Sequence, residues 1–221
     1  MLKKLFLALA LCGAALAASA SPADPKNGVE YLTLATPQPV AAGKKIEVTE
    51  FFAYYCPHCN VLEPDISAWV KKQGENIVFK RVHVQRGDAV APQQRLFYTL
   101  EAMGLLDQLH AKVFHAMHAE RERLGSDEAV FDFVAKQGVE RAKFIDTYRS
   151  FGVAGRVRRA NALMEAYQVD SWPLIAIDGR FITSPSLADA GAKAARTEGQ
   201  LDAQALTVMD FLVAKAKADK K

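Results

Sequence analysis

Hydrophobic positions along this chain change their period twice, and the changes divide it into three blocks. The first block holds two segments rich in β-branched and aromatic residues, 46–52 and 77–84, which predict strands. Between them, residues 57–72 predict a helix. Its expected apolar stripe consists of Val61, Leu62, Ile66, Trp69 and Val70. A strand, a helix and a second strand predict a β-α-β unit.

The middle block, residues 91–169, has helical periodicity throughout. Apolar residues recur there at spacings of three, four and seven. They are Leu96, Leu100, Met103, Leu109, Val113, Met117, Val130, Val134, Val153, Val157, Met164 and Tyr167. Ser126, followed by two acidic residues, is typical of a helix N-terminus. We expect about five helices in this block.

Strand signals return in the third block. Residues 174–178 and 181–183 predict a hairpin that turns at Asp178–Gly179. A last amphipathic helix carries Leu201, Ala205, Val208 and Leu212, and residues 31–34 predict a short edge strand. The order predicts an α/β fold, a small sheet domain with an all-helical domain inserted in its middle. We divide the chain into a leading segment (1–20), a sheet domain (21–88 and 169–221) and a helical insertion (89–168).

The leading segment has the three parts of a secretory signal. A basic start is followed by an apolar run over residues 5–17, which includes Cys12, and then by small residues up to Ala20. A run of thirteen residues is short for a bilayer, which takes about 20. We therefore expect cleavage after Ala20 and export of a soluble protein.

Composition and charge exclude several classes of protein. Half of the residues are hydrophobic and 24% are charged, values typical of a folded globular chain. Without Lys3 and Lys4, which lie in the leading segment, 26 basic residues stand against 25 acidic ones. A nearly neutral chain offers no electrostatic basis for binding nucleic acid.

Removal of the leading segment leaves two cysteines, Cys56 and Cys59, in a Cys-Pro-His-Cys motif. A disulfide across so small a loop restrains the unfolded chain little. The pair is therefore better interpreted as chemistry than as reinforcement. Because the motif joins a predicted strand to a predicted helix, Cys56 lies where unpaired N–H groups and the helix dipole favour a thiolate. Pro57 suits the first helical turn, and His58 can donate an N–H or a positive charge to the Cys56 sulfur.

A lowered thiol pKa has a redox consequence. Whatever stabilises the thiolate stabilises the reduced protein and makes its disulfide a stronger oxidant. An alternative is that the motif is half of a zinc site. That site would need further ligands from His83, His110, His115 and His118.

The segment EFFAYYCPHC, residues 50–59, closely resembles the active-site segment of the DsbA family, periplasmic thiol:disulfide oxidoreductases of Gram-negative bacteria. The resemblance extends over the rest of the chain beyond the leading segment, including a proline-bearing return strand at Trp172–Pro173. It implies a thioredoxin fold interrupted by a helical domain. Where members of the family usually have valine or threonine before that proline, this chain has Trp172.

The resemblance also implies roles for individual residues. Cys56 would be the exposed nucleophile and Cys59 its buried partner in a redox-active disulfide, with Glu50 a buried acid near Cys59. Trp172 and Pro173 would form the cis-proline loop that binds substrate, and Tyr55 is a further candidate for substrate contact. Glu63 and Arg81 would form a charged pair near the active site.

The partners implied by the resemblance are folding exported proteins that contain cysteines and a membrane quinone-linked reoxidase of the DsbB type. We expect a monomer without organic cofactor or metal. Two alternatives to a dithiol oxidase stay open, a disulfide isomerase or reductase of the same superfamily and a non-catalytic peptide-binding module. The redox potential distinguishes oxidase from isomerase, and replacement of Cys56 distinguishes a catalytic protein from a binding module.

Overall fold

Five strands pair into one mixed sheet in the computed structural model, which describes residues 24–192 and 194–220. The predicted leading segment lies outside the described residues. The strands are β1 (Leu32–Thr33), β2 (Ile46–Phe52), β3 (Ile77–His83), β4 (Leu174–Ile177) and β5 (Phe181–Thr183). Their order across the sheet is β1-β5-β4-β2-β3. β2 and β3 are parallel, as a β-α-β unit requires, and the other neighbouring pairs are antiparallel.

Helices cover the sheet. They are α1 (Pro57–Gln73), α2 (Ala91–Met103), α3 (Leu106–His118), α4 (Asp127–Lys136), α5 (Arg141–Tyr148), α6 (Phe151–Ala166), α7 (Pro185–Ala188) and α8 (Glu198–Asp219). The five helices α2–α6 follow β3 and precede β4, as predicted. The short α7, which begins at a proline after a capping Ser184, was not predicted. Within the described ranges, no helix has both the length and the apolar character needed to cross a membrane.

Strand β2 is buried along its whole length because β4 and β3 flank it and its side chains pack into the hydrophobic cores that the helices form with the sheet. Side chains alternate between the two faces of a strand, so Val48 and Glu50 lie on one face. The register pairs Glu50 with Arg81 of β3. The parallel pairing of β2 with β3 therefore brings an arginine beside a buried carboxyl group.

Two hydrophobic cores form on this frame. One joins the sheet to α1 and α8 through residues such as Val48, Ile66 and Leu212, and the other joins it to the inserted helices. The predicted stripe of α1 is wrong at Val61, which is 41% exposed. The buried face of α1 follows positions 59, 62, 66 and 69, at spacings of three and four. Val61 is rotated about 100° from Leu62 around the helix and faces solvent.

The hairpin between β4 and β5 turns where the sequence predicts it. Asp178 has φ 54° and Gly179 has φ 66°, and these two left-handed residues form the centre of a turn that the Arg180 N–H closes onto the Ile177 carbonyl at 3.1 Å. A Cβ atom on Gly179 would lie 2.1 Å from the carbonyl oxygen of Gln38. Glycine is thus required here both by its backbone conformation and by the neighbouring chain.

Candidate active site

The two cysteines lie at the junction between β2 and α1. Cys56 is the N-cap of α1 and Pro57 its first residue. The Cys56 backbone N–H donates to the Ala53 carbonyl at 3.1 Å and closes the turn after β2. Inside α1, the Cys59 backbone N–H donates to Cys56 Sγ at 3.3 Å. The first turn of the helix is therefore aimed at the Cys56 sulfur.

Both cysteines are free thiols, so the structure describes the reduced form. Cys59 is fully buried, as expected, but Cys56 is only 5% exposed, and the expectation of an exposed nucleophile is wrong for this form. The reason is the return loop before β4. Its Trp172 carbonyl lies 3.6 Å from Cys56 Sγ, and the Trp172–Pro173 peptide bond is cis.

The surroundings of Cys56 lower the pKa of its thiol from 9.0 to about 7. The largest cause is a hydrogen bond from the Cys59 thiol. Burial opposes ionisation, and the backbone N–H groups of Cys59 and His58, together with the charge of His58, favour it. The direction agrees with the prediction from sequence, since these donors belong to the start of a helix.

The surroundings of Cys59 act in the opposite direction. Burial raises the pKa of the Cys59 thiol far above its usual value, and the Cys56 sulfur and the Glu50 carboxyl group raise it further. A thiol that stays protonated donates to the neighbouring thiolate instead of competing with it. The two sulfur atoms are thus chemically unequal although they are three residues apart.

Behind the cysteines lies a chain of charged groups. Arg81 donates from Nε to Glu50 at 3.0 Å and from Nη2 to the two oxygens of Glu63 at 3.0 and 2.9 Å. Burial raises the pKa of Glu50 to about 7, although Arg81 opposes the shift. The charged pair of Glu63 and Arg81 expected from the resemblance is present, and Glu50 shares the same arginine.

His58 has a partner that the sequence did not reveal. Its Nδ1 lies 2.5 Å from Glu198 Oε1, in the first turn of α8. This hydrogen bond is the main cause that raises the pKa of His58. The two residues are 140 positions apart, and no local pattern connects them. Glu198 therefore favours the imidazolium form beside Cys56.

The loop residues expected to contact substrate form a small cluster at the mouth of the site. The rings of Tyr55 and Trp172 meet edge to face, 6.0 Å between centroids. The guanidinium carbon of Arg86 lies 5.2 Å from the centre of the Trp172 ring, a cation–π contact. Trp172 is partly buried, and Pro173 beneath it is buried. The bulky residue before the proline is accommodated because an aromatic ring and an arginine pack against it.

The four histidines that a zinc site would need make other contacts in the structure. His83, His110 and His118 each form a hydrogen bond to Tyr54, and His115 is exposed next to Glu120. Over the described part of the chain, histidine, cysteine and acidic side chains form no group of three or more that could hold a metal ion.

Three features together define the class of this protein. They are the topology of the sheet, the reduced Cys-Pro-His-Cys motif at a helix N-terminus and the cis-proline loop against the first sulfur. A protein that combines them is a thiol:disulfide oxidoreductase of the thioredoxin fold. The family model that describes the DSBA-like thioredoxin domain matches residues 47–191 of this chain. This chain belongs to that family.

Relatives and solved structures agree with the assignment. The thiol:disulfide interchange protein DsbA of Burkholderia cepacia is 41% identical over 222 residues, covering 100% of this chain and 98% of the relative. The crystal structure of Pseudomonas aeruginosa DsbA has a TM-score of 0.78 at 34% identity and covers 87% of this chain and 94% of its own. Reduced DsbA1 of Neisseria meningitidis has a TM-score of 0.74 at 25% identity, with 90% and 98% covered.

Proposed function

We propose that this oxidoreductase works as a dithiol oxidase, which donates a Cys56–Cys59 disulfide to exported proteins as they fold. The observation that carries the proposal is the convergence of hydrogen-bond donors on the Cys56 sulfur at the start of α1, where the Cys59 thiol and the backbone N–H groups of His58 and Cys59 stabilise a thiolate. Stabilisation of the thiolate favours the reduced protein, and a favoured reduced form makes the disulfide oxidising.

In the first proposed step, a substrate thiolate attacks Cys56 Sγ of the oxidised protein. The Cys56–Cys59 bond breaks, a mixed disulfide forms between Cys56 and the substrate, and Cys59 leaves with the electron pair. Because burial raises the pKa of Cys59, the leaving sulfur takes up a proton. Glu50 supports this transfer, since a carboxyl group with a pKa of about 7 can give or accept a proton near neutrality.

In the second step, another substrate thiolate attacks the substrate sulfur of the mixed disulfide. Cys56 leaves as a thiolate, and its lowered pKa makes it a good leaving group. The substrate has then lost two electrons and gained a disulfide, and the protein holds two thiols. We propose that a membrane quinone-linked partner of the DsbB type accepts these electrons and restores the disulfide.

Substrate would bind along the loop of Trp172 and Pro173 and against Tyr55. The Trp172 carbonyl supports this assignment because it lies 3.6 Å from Cys56 Sγ, close enough for a bound chain to reach both groups. His58 would act through its charge and Pro57 through the start of the helix. Together they keep the Cys56 sulfur in its thiolate form.

The proposed site of action is the periplasm, reached through the leading segment of residues 1–20. We further propose that residues 21–88 and 169–221 form one domain and residues 89–168 a helical domain. The helices α2–α6 support this division because they fall inside the middle segment. We propose a monomer that needs no cofactor or metal.

The redox equilibrium of the purified protein with glutathione tests the direction of the reaction. For an oxidase we expect a potential more oxidising than that of glutaredoxins, about −200 to −230 mV. A potential near that of thioredoxin, about −270 mV, would contradict the oxidase and favour the reductase or isomerase alternative. A peptide-binding activity that survives Cys56→Ser without loss would instead favour a non-catalytic module.

A further inference from the structure

Tyr54, two residues before Cys56, is bound by three histidines at three different polar groups. Its backbone N–H donates to His83 Nε2 at 3.1 Å, and its carbonyl oxygen accepts from His118 Nε2 at 2.7 Å. Its phenolic oxygen lies 2.9 Å from His110 Nδ1. We call His83, His110 and His118 the Tyr54 clamp.

The hydrogen bonds of the clamp require defined protonation states. His83 must be neutral at Nε2 to accept from a backbone N–H, and burial lowers its pKa to about 3. His110 has Nε2 at 3.3 Å from a Glu63 oxygen, so it donates there and accepts the Tyr54 hydroxyl proton at Nδ1. Burial also lowers the pKa of His110, in agreement with a neutral ring.

The clamp joins two parts of the fold, β3 and α3, to a single residue. His83 is the last residue of β3, whereas His110 and His118 lie on α3 of the inserted helices. His110 and His118 are eight residues apart, close to two helical turns, and therefore lie on the same side of α3. Through His110, the clamp also reaches Glu63 and the arginine that Glu63 shares with Glu50.

We propose that His118 and His110 are positioning residues, by which the inserted helices hold the turn before Cys56 and thereby set the reactivity of the Cys56 thiolate. Tyr54 lies inside the turn that the Cys56 N–H closes onto Ala53. The two peptide groups that flank Tyr54 are both held by ring nitrogens. With these groups held, the chain enters α1 in one orientation, and the backbone N–H groups of His58 and Cys59 stay aimed at Cys56 Sγ.

A purely structural role is the competing explanation, because Tyr54 is fully buried among aromatic rings. Such a role predicts a loss of folding stability with an unchanged thiolate. A positioning role predicts a change in thiolate acidity and redox potential that folding stability does not report. The inference refines the oxidase proposed above and rests on it.

Two substitutions of His118 test whether the donor to the Tyr54 carbonyl is needed. His118→Phe keeps a ring of similar size and removes the donor to the Tyr54 carbonyl, and His118→Gln keeps an N–H donor at a similar reach. His115→Phe, one turn earlier on α3, is the matched control because the His115 side chain is exposed and pairs with Glu120. The readouts are thiolate absorbance against pH in the reduced protein, the glutathione equilibrium, and urea unfolding.

For His118→Phe we expect the thiolate midpoint to rise by about one pH unit, a tenfold loss of thiolate below the midpoint. At pH 9.5, above both midpoints, the equilibrium should shift by about tenfold toward the disulfide form of the protein. We expect His118→Gln and His115→Phe to stay within twofold of the wild type. A His118→Phe protein that unfolds at lower urea but keeps the wild-type midpoint and equilibrium would overturn the proposal.

Tyr54→Phe keeps the test decisive if His118→Phe does not fold. This variant removes only the hydroxyl that binds His110 and should raise the midpoint by a smaller amount, about threefold in thiolate fraction. An unchanged midpoint in Tyr54→Phe would remove His110 from the proposal. A wild-type potential near that of thioredoxin would refute the oxidase itself, and the comparison between the variants and wild type would still report on the clamp.

Discussion

Cys56 and Cys59 are one helical turn apart, but their surroundings push the two sulfur atoms toward opposite protonation states. Cys56 receives hydrogen bonds from the Cys59 thiol and from backbone N–H groups, and its thiol pKa falls to about 7. Cys59 is fully buried, and its thiol pKa rises. Position relative to the helix start, rather than residue type, decides which thiol is the more acidic and which keeps its proton.

Burial acts on both sulfur atoms, since Cys56 is 5% exposed and Cys59 is fully buried. What distinguishes the two sulfur atoms is the supply of hydrogen-bond donors. A helix leaves its first N–H groups without partners in the helix, and the N-cap side chain is the group placed to accept them. Cys59 lies inside the helix, and the backbone hydrogen bond that lowers its pKa, from Ala53, is outweighed by burial.

Replacement of either cysteine by serine should have the largest effect, because it removes one of the two unequal sulfur atoms. Cys56→Ser should abolish oxidation of a dithiol peptide because the remaining Cys59 cannot form the internal disulfide that a substrate thiolate attacks. In Cys59→Ser the Cys56 thiolate should attack a disulfide-bonded peptide, release one peptide thiol and stay trapped as a mixed disulfide, since no Cys59 thiol remains to displace the peptide. Peptide oxidation and mass spectrometry of adducts check both outcomes, with wild type as the control. Equal trapping at Cys59 in the Cys56→Ser protein would contradict the assignment.

Replacement of Glu50 tests the buried surroundings of the Cys59 sulfur. The folded pKa of Glu50, about 7, lies above its usual 4.5. The folded protein therefore favours the protonated carboxyl group. The stability that this preference contributes is lost as the pH rises through 7. Relative to wild type, Glu50→Gln should gain up to about 3 kcal/mol of unfolding free energy at pH 8 and almost nothing at pH 4.

Urea unfolding of the reduced protein at the two pH values measures this gain. Glu47→Gln is the matched control because Glu47 is a buried acid on the same strand, paired with Lys80. A gain of the same size for Glu50→Gln at pH 4 and pH 8 would show that ionisation of this carboxyl group is not its cause.

The Cys56 thiol titrates with the opposite sign. Because the folded pKa of Cys56 is lowered, its thiolate contributes stability that is present above pH 9 and is lost as the pH falls through about 7. The reduced wild type should gain about 2 to 3 kcal/mol between pH 6 and pH 9.5 from this group. The same pH series on reduced Cys56→Ser provides the control, and an identical slope in both proteins would reject the linkage.

The smallest expected effect comes from Glu198, whose hydrogen bond raises the pKa of the largely exposed His58. Without that carboxylate, the pKa of His58 should fall and the imidazolium charge beside Cys56 should be lost at lower pH. Glu198→Gln should raise the thiolate midpoint by less than one unit because solvent screens exposed charges. Glu75→Gln, which removes an exposed pair with Lys45 at the other end of α1, is the control. A midpoint shifted equally by both variants would exclude a local effect of Glu198.

Several parts of this site were predictable from the sequence because they depend on neighbours along the chain. Cys56 lies at the start of α1 because a strand, a Cys-Pro dipeptide and a helical stripe follow one another within a few residues. The hairpin at Asp178–Gly179 was predictable for the same reason. Val61 shows the limit of such reasoning, since membership of an apolar stripe could not be separated from exposure until the packing of α1 was known.

The sequence by itself thus determined the order of strands and helices, the position of the reactive pair and the acidic character of the first thiol, because each follows from periodicity or from the ends of a helix. Only the tertiary structure decided that the loop of Trp172 buries Cys56, that Glu198 binds His58 and that three histidines hold Tyr54. These contacts join residues from 29 to 140 positions apart. Chain folding sets their distances, and no local pattern in the sequence records them.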